Sequence, residues 1–137
     1  MNMRERCERA EAYRKNGANC AQALLAAFAD VMGITETQAL AVGAGLGGGV
    51  RSGNICGAVN APVMILGCAF PEMAASKAKS AEITKEYQRR FMERFKHLNC
   101  RERWRRRNCS PLTRPWHWRQ GTTAGCLFSA RRRYCAG

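Results

Sequence analysis

Apolar residues in the first hundred positions recur every three or four residues, and they do not alternate with polar residues over any useful length. A repeat of three to four residues puts side chains on one face of an α-helix, whereas a half-buried strand needs a repeat of two residues. The sequence therefore predicts an all-α fold, a small bundle of about five helices. The residues predicted to fill its core are Leu24, Leu25, Phe28, Val63, Leu66, Ile83, Tyr87, Phe91 and Phe95.

Caps and breakers divide this region into helices. The first helix is expected from Met3 to about Asn16, and Asn19 is placed to cap a second, strongly apolar helix that continues to Met32. A third helix should begin at the capping-box pattern of a threonine followed three residues later by glutamine, at 35–38.

Two further helices are expected in the second half of the bundle. Ser52 or Asn54 could cap the fourth, although Pro62 lacks a backbone N–H and should kink this helix or delay its start. A long helix is predicted from about Met73 to Leu98, with its buried stripe on one face.

The positive charge is concentrated at the end of the chain. The formal net charge is +13, and residues 101–137 carry ten arginines against one glutamate. We expect residues 1–103 to form the helical domain and residues 104–137 to form an irregular, poorly ordered basic tail. The abrupt change of composition near residues 100–107 suggests a frameshifted end. Arginines interleaved with tryptophans could also bind nucleic acid weakly, but incidental basicity is the stronger interpretation.

The chain shows no uninterrupted apolar run of the roughly 20 residues that a membrane span needs, and its start lacks the apolar centre of a signal peptide. We therefore expect no membrane association and a cytoplasmic location. Eight cysteines in such a chain favour redox or metal chemistry over a disulfide scaffold, because cytosolic thiols are kept reduced.

The cysteines differ in their expected surroundings. Cys20 opens the second helix and Cys56 lies near the start of the fourth, where the positive end of a helix dipole favours thiolate. Cys100 is expected to end the long helix, where the dipole opposes thiolate. Cys7 and Cys68 are interpreted as small core residues.

A run of three glycines, Gly47, Gly48 and Gly49, precedes the fourth helix. Glycines remove the steric bar to positive φ and allow a second chain segment, a ligand or a cofactor to approach closely. We predict that Cys20 and Cys56 converge beside this loop.

Four separated motifs, NCAQALLAAFAD, GLGGGVRSGNICGAV, MILG and RFMERFKHLNCRE, resemble the C_GCAxxG_C_C family of redox-active proteins over about residues 13–103. In that pattern Cys20 corresponds to the first cysteine, Cys56-Gly57-Ala58 to the central Cys-Gly-Ala, and Cys100 to the third cysteine. Ala61 stands where the family has glycine. The fourth cysteine corresponds to Cys126 by spacing or to Cys135 by order.

The resemblance implies a helical protein of anaerobic prokaryotes whose cysteines carry redox chemistry. The leading hypothesis is thiol/disulfide or electron-transfer chemistry through Cys20, Cys56 and Cys100, with a redox partner protein and a possible homo-oligomer. The alternative is an iron–sulfur or other metal site with Cys126 as a fourth ligand. Gly57 and the glycine run are the positions where a cofactor would bind. A basic nucleic-acid-binding protein is the third hypothesis.

Overall fold

A computed structural model of the protein describes residues 1–103, and the predicted basic tail lies outside these residues. The helices are α1 (Met3–Lys15), α2 (Cys20–Ala27), α3 (Ala29–Met32), α4 (Glu36–Gly43), α5 (Gly57–Ala69), α6 (Glu72–Ala75) and α7 (Lys77–Phe95). A short π-helical turn, Gly49–Gly53, precedes α5, and residues 100–103 are again helical. Between residues 1 and 103 there is one isolated β-bridge and no strand, so the all-α prediction is confirmed.

Five of these helices have eight residues or more, as the sequence predicts. Capping boxes begin three of them, with the side chains of Asn2, Asn19 and Thr35 accepting hydrogen bonds from the backbone of the first turn. Such caps satisfy backbone donors that have no partner inside the helix. The caps predicted at Asn19 and Thr35 are therefore confirmed.

Helix α2 lies at the centre of the bundle and packs against α1, α4 and α5. Six of its eight residues are buried, which its run of alanines and leucines allows. Of the predicted core residues, Val63 and Phe95 are only partly buried, and Ile65 takes a place in the core that the sequence analysis did not assign to it. The described helices also include none long and apolar enough to cross a membrane.

The predicted second helix breaks at Phe28, which separates α2 from α3. The guanidinium of Arg6 on α1 donates to the carbonyl of Ala27 at 2.9 Å, pairs with both carboxylate oxygens of Asp30, and lies 4.7 Å from the centre of the Phe28 ring. Its hydrogen bonds lower the pKa of Asp30 to about 2. A single buried cation thus bridges the break and holds α1 against it.

Helix α5 runs through Pro62 instead of starting after it, and its N-cap is Cys56 instead of Ser52 or Asn54. Because Pro62 has no N–H, the carbonyl of Ala58, four residues earlier, lacks its usual helical donor. The hydroxyl of Tyr87 on α7 donates to that carbonyl at 2.9 Å in the buried core. The proline therefore creates an acceptor that fixes α7 against α5.

The predicted long helix is also shorter than expected. Ser76 separates α6 from α7, and its side chain accepts a hydrogen bond from the backbone of Lys79. Helix α7 ends at Phe95, followed by Lys96 in the left-handed conformation at φ 68°. Cys100 consequently lies beyond α7 and begins the helical residues 100–103, so its expected position at a helix C-terminus is wrong.

Candidate functional site

Cys20 and Cys56 lie at the starts of two neighbouring helices. Cys20 is the first residue of α2 and Cys56 is the N-cap of α5. Both are free cysteines, each is the largest influence on the pKa of the other, and Sγ of Cys20 lies against Gly57, the residue after Cys56, so the structure brings the two predicted cysteines together. Cys56 is 3% exposed, whereas Cys20 is only partly buried. One thiol of the pair thus faces the core and the other lies closer to solvent.

The surroundings of Cys20 favour its thiolate form. The hydrogen bond from Cys56 is the largest influence, and the backbone of Gly48, the charge of Arg14 and the backbone of Gly57 act in the same direction against desolvation. Together they lower the pKa of Cys20 to about 5. Hydrogen bonds to a charged sulfur stabilise that form over the neutral thiol.

Cys56 has the opposite tendency. The neighbouring Cys20 raises the pKa of the Cys56 thiol well above its usual range, and burial acts in the same direction. Since two thiols in contact titrate as a unit, the reduced pair holds one proton over a wide range around neutrality. We assign the thiolate to Cys20, because its pKa is lowered whereas the pKa of Cys56 is raised.

Gly57 makes the approach of the two helices possible. A β-carbon at this position would lie 2.4 Å from Sγ of Cys20 and 2.9 Å from the backbone nitrogen of Ala21. Real β-carbons do not approach other atoms this closely, so any other residue would displace the sulfur or the helix start. The Cys-Gly sequence at 56–57 therefore serves the geometry of the sulfur pair.

The glycine run forms a left-handed turn beside Cys20. Gly48 and Gly49 have φ of 64°, and Val50 and Arg51 follow with φ of 57° and 58°. A β-branched valine is strained in this region. The turn brings the backbone of Gly48 to the sulfur of Cys20.

The other two glycines of the run have close contacts of their own. A β-carbon at Gly47 would lie 2.6 Å from the side chain of Asn19, and one at Gly49 would lie 2.3 Å from the carbonyl oxygen of Asn54. Close packing against other parts of the chain therefore explains why glycine is needed at these two positions. Cofactor binding at Gly47, Gly48, Gly49 and Gly57 stays a prediction.

Asn19 connects this turn to α2 and α4. Besides capping α2, its side-chain amide donates to the carbonyls of Gly43 and Ala44 at 3.1 and 3.0 Å. The sequence identified the cap but not this second role. Arg14 was also missed as a neighbour of Cys20, because the corner between α1 and α2 that brings its charge there has no sequence signal.

Backbone hydrogen bonds join the segment around Cys100 to the segment that leads into Cys56. The N–H of Cys56 donates to the carbonyl of Leu98 at 2.9 Å, and the N–H of Cys100 donates to the carbonyl of Asn54 at 2.8 Å. These bonds flank the antiparallel bridge between Ile55 and Asn99. Cys100 is partly buried and packs against the core. The structure thus places the backbone of Cys100 against the segment that leads into Cys56.

Two other cysteines, Cys7 and Cys68, lie within the described residues. Cys7 is partly buried against the core, in agreement with its structural interpretation, whereas Cys68 is exposed near the end of α5 and is not a core residue. Cys126 lies outside the described residues. Within residues 1–103, no group of three or more His, Cys, Asp or Glu side chains could hold a metal ion. Cys20 and Cys56 could contribute two ligands, and the metal site stays a prediction.

The fold and the site define a class of protein, a small helical protein with a coupled pair of cysteines at two helix starts. The chain matches a family described as "Putative redox-active protein (C_GCAxxG_C_C)" over residues 18–126, which is more than half of its length. It therefore belongs to this redox-active family, as the motifs predicted. The matched span contains Cys126 but not Cys135. No curated protein and no solved structure gives a significant match.

Proposed function

We propose that the protein is a dithiol/disulfide redox protein in which Cys20 and Cys56 form the reversible couple. The observation that carries the proposal is the close approach of the Cys20 sulfur to the start of α5 at Cys56 and Gly57, supported by the opposite shifts of the two pKa values. A thiolate in contact with a thiol is the reduced form of a two-sulfur couple. Family membership supports redox activity in general, and the contact supports this particular pair.

The shared proton determines the stoichiometry of oxidation. Near neutrality the reduced pair consists of the Cys20 thiolate and the Cys56 thiol. Formation of the disulfide bond then removes two electrons and releases one proton, which comes from Cys56. An ordinary pair of neutral thiols would release two electrons and two protons. The pH dependence of the midpoint potential distinguishes the two cases.

The test is a redox titration of the full chain at several pH values, with alkylation and mass mapping of free thiols. We expect Cys20 and Cys56 to lose their reactivity toward the alkylating reagent together. The midpoint potential should fall by about 30 mV per pH unit in the range of about pH 6 to 8. A fall of about 59 mV per pH unit would contradict the one-proton assignment. Cys7→Ser and Cys68→Ser should keep the couple, whereas Cys20→Ser and Cys56→Ser should lose it.

Anaerobic purification with iron and zinc analysis tests the same pair as ligands. The proposal predicts two titratable thiols at Cys20 and Cys56 in the purified protein. If metal were retained stoichiometrically and lost in Cys20→Ser, these thiols would be ligands and the dithiol function would be wrong. A disulfide formed by any other two cysteines in place of this pair would also overturn it.

A further inference from the structure

A basic pocket beside Cys100 is not used by the Cys20–Cys56 couple. The pocket has a volume of about 430 Å³ and is lined by Arg51, Ser52, Gly53, Cys100 and Arg101. Both arginines are exposed, and within residues 1–103 neither forms an ion pair with a carboxylate. Two arginines without a carboxylate partner among these residues thus line a pocket together with a cysteine.

The pocket is held in place by the same turn that reaches Cys20. Arg51 has a left-handed backbone conformation in this turn, and the guanidinium of Arg101 donates to the carbonyl of Ser52 at 3.3 Å. A β-carbon at Gly53 would lie 3.1 Å from Nε of Arg101, so the arginine side chain lies along the glycine. Guanidinium groups recognise carboxylates through paired hydrogen bonds. The pocket therefore favours a ligand that carries carboxylates.

Cys100 is also placed to exchange with the buried pair. Cys56 bonds to Leu98 and Cys100 bonds to Asn54 on either side of the isolated bridge between Ile55 and Asn99, so the two cysteines occupy diagonal positions of this backbone contact. Diagonal β-carbons in a ladder are about 7–8 Å apart, and a disulfide needs about 4 Å. A local approach of about 3–4 Å, through rupture of the bridge, would join the two sulfurs.

We propose that Cys100 is the sulfur through which a carboxylate-bearing low-molecular-weight disulfide, bound at Arg51 and Arg101, exchanges with the Cys20–Cys56 pair. The inference rests on the proposed function, and it adds the entry point and the chemical class of the oxidant. Cys56 is too buried, at 3% exposure, to meet such a molecule directly.

The exchange is balanced at each step. The Cys100 thiolate attacks the small disulfide RSSR, forming a Cys100–SR bond and releasing RS⁻. Cys56 transfers its proton to Cys20, attacks the Cys100 sulfur and releases the second RS⁻. Cys20 then loses this proton to solvent and attacks the Cys56 sulfur, so that the Cys20–Cys56 bond forms and Cys100 leaves as thiolate. Two electrons have passed from the pair to RSSR.

The test follows oxidation of the reduced full-length chain by glutathione disulfide, which carries carboxylates, and by cystamine, which carries only amines. Acid-quenched samples are mapped by mass spectrometry. In the Cys56→Ser variant we expect the glutathione adduct to accumulate on Cys100, because its resolving thiol is absent. In Cys100→Ser we expect oxidation of the pair by glutathione disulfide to slow at least about tenfold.

The arginines are tested with a matched pair of charge changes. Arg51→Gln with Arg101→Gln should slow the reaction with glutathione disulfide by about tenfold and should not slow the reaction with cystamine. Arg4→Gln with Lys77→Gln removes the same charge from exposed positions on α1 and α7 and should leave both rates unchanged. This control separates the pocket from the general positive charge of the chain.

Three results would overturn the inference. The first is a glutathione adduct that accumulates on Cys20 instead of Cys100 in Cys56→Ser, and the second is normal oxidation of the pair in Cys100→Ser. In both cases the Cys20–Cys56 disulfide still forms in the parent protein, so the proposed function stands. The third is an equal loss of rate in the pocket variant and in the Arg4→Gln, Lys77→Gln control, which would refute carboxylate recognition by the pocket.

Discussion

Replacement of Gly57 by alanine tests the packing of the sulfur pair most directly. Gly57 is helical, and in a helix alanine is ordinarily favoured over glycine by about 0.5–1 kcal/mol. At this position, however, the added β-carbon would lie 2.4 Å from Sγ of Cys20 and 2.9 Å from the backbone nitrogen of Ala21. Overpacking of this kind costs about 1–3 kcal/mol. We therefore expect Gly57→Ala to lower the free energy of unfolding by about 1–2 kcal/mol.

Gly67→Ala is the matched control in the same helix. A β-carbon at Gly67 would have no atom within 4 Å, so only the helix preference remains and the protein should gain about 0.5–1 kcal/mol. Urea unfolding of both variants under reducing conditions, followed by circular dichroism, measures the difference. If Gly57→Ala were as stable as Gly67→Ala, the close approach of α5 to Cys20 would be wrong.

The same substitution has a chemical consequence. The sulfur of Cys20 can escape the new methyl group only by rotation away from Cys56 and Gly57, which removes donors that stabilise its thiolate. The pKa of Cys20 should therefore rise in Gly57→Ala, and alkylation of Cys20 at about pH 6 should become slower. Unchanged alkylation together with reduced stability would show that α2 moves instead of the sulfur.

The remaining predictions concern the thiolate and the core. The pKa of Cys20 is lowered from 9.0 to about 5, so ionisation of Cys20 should stabilise the fold fully above pH 9 and not at all once the pH has fallen through about 5. Between these values, the free energy of unfolding of the parent minus that of Cys20→Ser, measured by urea unfolding, should increase with pH. Alkylation of Cys20 should stay fast at about pH 6, where that of free cysteine in solution is slow, and equal pH profiles would contradict the thiolate assignment. Tyr87→Phe should lower the free energy of unfolding by about 1–3 kcal/mol because it leaves the buried carbonyl of Ala58 without a donor, and a change below about 0.5 kcal/mol would show that this bond is not important. Phe91→Ala should cost about 3–5 kcal/mol since the ring is fully buried, and a near-zero change would refute its place in the core.

The sequence predicts the features that depend on neighbours along the chain. The caps at Asn19 and Thr35 follow from local spacing, as does the stripe of α7 at Ile83, Tyr87 and Phe91, and the structure confirms them. The break at Phe28 could not be predicted in this way, because the partner that stabilises it, Arg6, comes from another helix. The passage of α5 through Pro62 likewise depends on a distant residue, Tyr87.

In the site, too, some features follow from the local sequence and others depend on distant residues. Its two main sulfurs could be predicted from their places at helix starts and from the family motifs. The hydrogen bond from Gly48 and the left-handed conformation of Val50 could not, since valine has no local preference for positive φ. Cys100 was misplaced because the end of α7 is set by Lys96, a residue with no stop signal of its own.

The glycines on either side of α2 bear on how the protein responds to a change of oxidation state. A β-carbon at Gly43 on α4 would lie 2.9 Å from the backbone of Gln22, and one at Gly57 on α5 would lie 2.9 Å from the backbone of Ala21. The first turn of α2 is thus clamped between two other backbones and has no room to slide. In the proposed couple, we therefore expect the Cys20–Cys56 bond to form by torsion of the two side chains, without a shift of α2. The oxidised and reduced forms should then differ little in the position of α2 against α4 and α5, and the movement that the exchange requires should be confined to the segments joined at the Ile55–Asn99 bridge.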